Sequence, residues 1–277
     1  MSNIISSDFY RVRKGAALRN TCLGLAAIVI VMLVLFMFMQ SHAFASMITT
    51  AGEAMPAEME DLQQEIQSEM IPINDGADFI SKVQSEFVVF FFFLPITLAV
   101  FCADFTAGTY RNTLSYESDR VKVYMSKLLL SVALCLGMLL GMLLLSFLLG
   151  GIFFGFSGFT SAFLGKLLTS LLLQLPIYLA TVAVCHCLVA FTRKSSSTIA
   201  LFLVGYFVIA LATQMAVGFF SLPEWIMLFD PQTAGKLMTF YDMASKGNIA
   251  FVVIYNLGIT SLSTFLGVEY YKKTDMP

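Results

Sequence analysis

Apolar residues in this chain gather into six long runs separated by polar stretches. The runs lie near residues 21–41, 86–103, 125–149, 163–190, 198–218 and 248–268. A helix rises about 1.5 Å per residue, so about 20 apolar residues cross a hydrocarbon core about 30 Å thick. Runs of that length satisfy their backbone hydrogen bonds in lipid only as helices. The pattern therefore predicts an all-α integral membrane protein with six transmembrane helices, forming a single domain over residues 1–277. Composition agrees: 58% of residues are hydrophobic, 12% are charged, and mean hydropathy is +0.83. A soluble domain carries about 25% charged residues.

The flanks refine this picture. Ile5, Phe9, Val12 and Ala16 recur at helical spacing, with Asp8, Arg11 and Lys14 off that stripe. This predicts an amphipathic helix over 1–20 lying in the inner membrane interface. The first run stays apolar from Cys22 to Met39, longer than a signal-peptide core, so a retained helix is expected despite Ala-Phe-Ala-Ser at 43–46. Residues 42–85 form an acidic outer segment. Within it Pro56 precedes Met59, Leu62, Ile66 and Met70 at helical spacing. That acidic face is either solvated or captures a cationic substrate. Residues 219–247 form a second outer segment. Pro223, Trp225 and Phe229 are interface-anchoring types there, and Asp230-Pro231 reads as a helix cap and first residue.

Charge sets the orientation. With the N-terminus inside, the cytoplasmic segments hold Arg11, Arg13, Lys14, Arg19, Arg111, Arg120, Lys122, Lys127, Arg193, Lys194, Lys272 and Lys273, leaving Lys82, Lys166, Lys236 and Lys246 outside. Basic residues concentrate on the cytoplasmic side of membrane proteins, so both termini are expected in the cytoplasm. Net charge is −2 and no basic stripe occurs, which argues against a nucleic-acid partner.

Candidate chemistry is sparse. No Asp, Glu, Lys or Arg falls mid-run, as ion-coupled carriers and voltage sensors require. Gln174, Gln214 and Asn256 are the polar candidates there, and such residues commonly hold helices together. Pro95 and Pro176 are expected to kink their helices, and Gly137 with Gly141 forms a small-xxx-small pair. His42 and His186 are expected near opposite faces, so no protease constellation forms. Cys185-His186-Cys187 carries metal-ligand types, but successive helical residues point about 100° apart and cannot share one ion. The five cysteines read as small buried hydrophobes. Gly165-Lys166 lacks the upstream glycine and following hydroxyl of a P-loop. Uphill transport would therefore need energy from another subunit.

The inner stretch after the second run is the informative one. It reads Asp104-Phe105-Thr106-Ala107-Gly108-Thr109-Tyr110-Arg111, continues through Glu117, Ser118, Asp119 and Arg120, and reaches Lys127. This resembles the ABC-2 type transporter permeases, in particular the small six-span bacterial group that includes bacitracin and lantibiotic immunity transporters. The matching pattern is an acidic residue (Asp104), Gly108-Thr109, the basic Arg111, then Ser118 and Arg120 with Asp119 inserted between them, and Lys127 opening the third span. Aspartate stands at 104 where the family pattern has glutamate.

The resemblance implies a cytoplasmic coupling helix over 104–124. There Gly108-Thr109 would break the second span, and Arg111, Glu117, Asp119 and Arg120 would face the groove of a separate ATP-binding cassette ATPase. It further implies a second permease copy or a paralogous permease, a bacterial cytoplasmic membrane, and export of a hydrophobic or amphipathic substrate such as an antimicrobial peptide, drug or lipid. Neither catalysis nor a cofactor is expected in this chain, since ATP and magnesium would sit in the ATPase. The second and fifth spans would line the path, making Phe91, Phe92 and Gln214 its candidates. A non-transport scaffold or sensor subunit is the alternative.

Overall fold

A computed structural model describes residues 2–39, 41, 73–85, 89–106 and 119–273. Regular structure among them is entirely helical. Helix α1 spans Ser2–Lys14 and α2 spans Ala16–Met39, with a bend at Gly15 between them. Helix α3 covers Gly76–Ser85 and α4 covers Val89–Thr97. A π-turn over Leu98–Cys102 leads into the single turn α5, Ala103–Thr106. The remaining long helices are α6 (Arg120–Phe154), α7 (Ser161–Thr192) and α8 (Ser195–Gly218). A 3-10 turn over Glu224–Phe229 precedes α9 (Pro231–Thr239), and α10 (Lys246–Lys273) closes the described chain.

Five helices (α2, α6, α7, α8 and α10) are long and apolar enough to cross a membrane. This is the architecture of a multi-pass membrane protein. The second apolar run forms a shorter helix, Phe91–Phe105. Pro95 lies inside it without ending it. Proline removes one ladder donor, and the helix widens into the π-turn within the following turn, a common way of absorbing such a defect.

Capping follows the local sequence. Asp230 accepts hydrogen bonds from the Thr233 backbone N–H at 3.0 Å and hydroxyl at 2.8 Å, ahead of Pro231 at the first helical position. Asp119 caps α6, accepting from the N–H of Val121 at 3.0 Å. Helix α6 therefore starts at Arg120, within the stretch expected to form the coupling helix.

Packing departs from the expected outer loop at 73–85. Helix α3 is buried there, with Phe79, Ile80 and Val83 in the core. Its approach to α6 is close: a Cβ on Gly76 would lie 2.8 Å from the carbonyl carbon of Gly150, so glycine is required at this crossing. The helix expected near residues 56–70 lies outside the described residues.

Helix α1 is also turned from its expected face. Ile4 and Ile5 pack on the core and Val12 is buried, but so is Asp8, while Phe9 is exposed. The buried stripe runs through 4, 5, 8 and 12. Helices α7 and α10 share the most extensive contact among the described elements. The outer faces of α8 and α10 are exposed and apolar, as lipid contact requires.

Candidate functional site, a buried ionic junction

Four charged side chains meet where α1, the π-turn, α5 and the first turns of α6 converge. Lys127 Nζ lies 2.8 Å from Asp8 Oδ2 and 2.5 Å from Asp104 Oδ2. Arg11 Nη2 lies 3.1 Å from Asp8 Oδ1, and Arg11 Nη1 donates to Asp104 Oδ1. Each cation thus bridges both carboxylates, closing an alternating ring of two positive and two negative charges. Lys127 is 1% exposed, Asp104 2% and Asp8 7%. Burying any one charge alone would cost several kcal/mol, so pairing on both sides is what makes the burial tolerable. Arg11 Nη2 also donates to the Val100 carbonyl at 3.1 Å, inside the π-turn.

Aromatic side chains fill the space beside this ring. Phe101 stacks on the His186 imidazole with centroids 5.0 Å apart and meets Tyr124 edge-on at 5.5 Å. Tyr271 lies 5.7 Å from Phe101 and 5.9 Å from Tyr124. His186 Nε2 shares a 2.8 Å hydrogen bond with the Ser131 hydroxyl. The π-turn, α6, α7 and the end of α10 are thereby locked into one junction. At that end Phe191 and Tyr270 lie 4.3 Å apart, and Arg120 Nη1 donates to the Lys272 carbonyl at 2.9 Å. A cation on the last carbonyls of a helix also complements its dipole.

Of the residues expected to couple to a partner, Asp104 and Lys127 are therefore turned into the protein and bind each other. Arg120 opens α6 and reaches α10. Gly108, Thr109, Arg111, Glu117 and Ser118 lie outside the described residues. The path candidates lie on two helices, α4 and α8. Phe91 packs edge-on against Tyr206 of α8 at 5.3 Å. Phe92 lies against α2, where a Cβ on Gly24 would be 3.2 Å from its ring. Gln214 is exposed on α8.

Sequence reasoning missed Asp8 and Arg11 as site residues. The available signal was that Asp8 is the sole acidic residue before Glu53, one helical turn from Arg11.

A second polar cluster joins α3, α7 and α9. Gln84 Nε2 donates to the Ser170 hydroxyl and to Gln174 Oε1, each at 2.9 Å. Gln174 Oε1 also accepts from the Tyr178 hydroxyl at 2.9 Å. Gln174 Nε2 donates to the Gly235 carbonyl at 3.0 Å and the Thr239 hydroxyl at 2.9 Å. Every polar atom of Gln174 is engaged, so this cluster holds helices together rather than presenting a free group. Cys185 packs with Leu94 and Phe202, away from the His186 stack. Among the described residues no group of three His, Cys, Asp or Glu side chains is placed to hold a metal ion.

A groove of about 410 Å³ runs between α2 and α6, lined by Cys22, Ala26, Ala133, Gly137 and Gly141 among other apolar residues. Nothing lies within 4 Å of where a Cβ would stand on Gly137 or Gly141. The small-xxx-small face is open in this chain. Comparison with protein-family models, with curated proteins and with solved structures found no match for this sequence or its fold.

Proposed function

We propose that this chain is the permease subunit of an ATP-binding cassette exporter in a bacterial cytoplasmic membrane. A separate ATPase drives it, and it pairs with a second permease. Its substrate is hydrophobic or amphipathic: an antimicrobial peptide, a drug or a lipid. The observation that carries the reading is that the stretch resembling a coupling segment is bracketed by the ionic ring. Asp104 precedes residues 107–118 and Lys127 follows them, and the two are bound to each other. A push on that stretch would pass into α1, the π-turn and α6 together, since packed elements move as rigid bodies.

Six crossings fit the same geometry. Asp104 ends the short apolar helix beside Arg11 of α1, at the end of the bundle where α7 and α10 also finish. On this reading the second run, with α3 ahead of it, supplies the sixth crossing, and both termini face the cytoplasm. The open Gly137 and Gly141 face of α6 offers a second permease a close approach.

The test is affinity capture of the full chain from its native membrane, with ATP hydrolysis measured in the eluate. Arg111→Glu and Arg120→Glu should each lose the hydrolytic partner while the chain still reaches the membrane fraction. Undiminished hydrolysis in both eluates would remove the assignment.

A further inference from the structure

The two sides of α1 carry opposite chemistry. Its sole carboxylate, Asp8, is buried in the ionic ring, and Arg11 is committed to the same ring. The exposed side holds Arg13 and Lys14, with Arg19 following on α2, and Asp8 is the only acidic residue among positions 2–20. Beside these cations stand Phe9 at 43% and Tyr10 at 59% exposure. Lys14 Nζ sits 4.7 Å from the Tyr10 ring centroid.

We infer that this face of α1 is a contact surface for anionic lipid headgroups. Three cations with no carboxylate paired to them among the described residues complement a layer of phosphate-bearing lipids, each cation contributing comparably near such a surface. The adjacent aromatic rings argue for a membrane rather than an acidic protein groove. Phe9 gains nothing from a charged groove, whereas Phe and Tyr next to cations suit the boundary between headgroup and acyl chain. Helix α2, which continues from α1 after Gly15, exposes Leu23, Ile30 and Val34 along its length, so α1 lies at the edge of the apolar zone. The ionic ring on the opposite side fixes the rotation of α1, so the cations cannot roll away from the leaflet.

The inference is independent of the exporter reading. It is tested by incubating the purified full chain in detergent with equimolar phosphatidylglycerol and phosphatidylcholine and counting retained lipids by native mass spectrometry. The wild type should retain phosphatidylglycerol in preference. Arg13→Gln with Lys14→Gln should reduce that preference by about fivefold for each charge removed. Arg13→Lys with Lys14→Arg should preserve it, which separates charge from fold. Equal retention of both lipids by the wild type, or an unchanged preference in the neutralised variant, would overturn the assignment. So would a neutralised variant that keeps the lipid preference but loses a co-purifying protein, since the face would then belong to that protein.

Discussion

Lys127 Nζ and Asp8 Oδ2 lie 2.8 Å apart although 119 positions separate the two residues in the chain. The contact joins the start of a long membrane helix to a terminal helix that the hydrophobic pattern places alone at the interface. Asp104 binds the same ammonium as its second carboxylate. Removing Lys127 therefore affects more than one pair.

Lys127→Met keeps the side-chain volume but leaves Asp8 and Asp104 to share Arg11. Breaking a buried ion pair from one side costs about 3–5 kcal/mol. A large fall in thermal midpoint is expected in detergent. Adding Asp104→Asn leaves the balanced pair Asp8 and Arg11 and should recover much of the loss. Equal midpoints for the single variant and the wild type would mean that the ring contributes nothing.

Gln174→Leu should destabilise the joint between α3, α7 and α9. The substitution removes one hydrogen bond each from the Gln84 amide, the Tyr178 hydroxyl and the Gly235 carbonyl, while Gln84 keeps Ser170 and Gly235 keeps the Thr239 hydroxyl. Each lost hydrogen bond costs about 0.5–1.5 kcal/mol. Thermal unfolding and faster proteolysis after residue 72 would report it. Gln84→Leu, which removes one donor from the edge of the cluster, should cost less.

Gly267 faces Tyr124 at the foot of the aromatic cluster. A Cβ there would clash with the Tyr124 hydroxyl oxygen, which has no hydrogen-bond partner among the described residues. Gly267→Ala should lower the thermal midpoint by forcing the ring to move, an overpacking effect of about 1–3 kcal/mol. Tyr124→Phe should be nearly neutral alone and should rescue Gly267→Ala. Additive losses in the double variant would show that the close approach is unimportant.

Topology can be read by labelling. Cys22 is the exposed cysteine and the other four are buried, so a Cys22→Ala background suits single-cysteine probes. A membrane-impermeant maleimide applied outside intact cells should label Ser157→Cys, in the turn between α6 and α7. Ser7→Cys and Lys272→Cys should react only after the membrane is opened. Labelling of Ser7→Cys and Lys272→Cys from opposite sides would rule out an even number of crossings.

Much of the secondary structure was legible in the chain. Five of the six apolar runs became long helices with ends within a few residues of those predicted, because a run of that length has no other way to pair its backbone in lipid. Asp230-Pro231 opened a helix as its local chemistry required. The second run was harder to read, because Pro95 and the π-turn reshape a helix without changing its composition.

What sequence alone determined is the solvent of this protein and the class of its elements, since desolvation acts on each residue where it stands. What the tertiary structure decided is the partner of each polar side chain. Asp8 looked like a residue off the apolar stripe of α1, and Asp104 and Lys127 looked like parts of a surface segment. Packing brought all three together with Arg11, because a charge shut away from water must find its opposite wherever the fold supplies it.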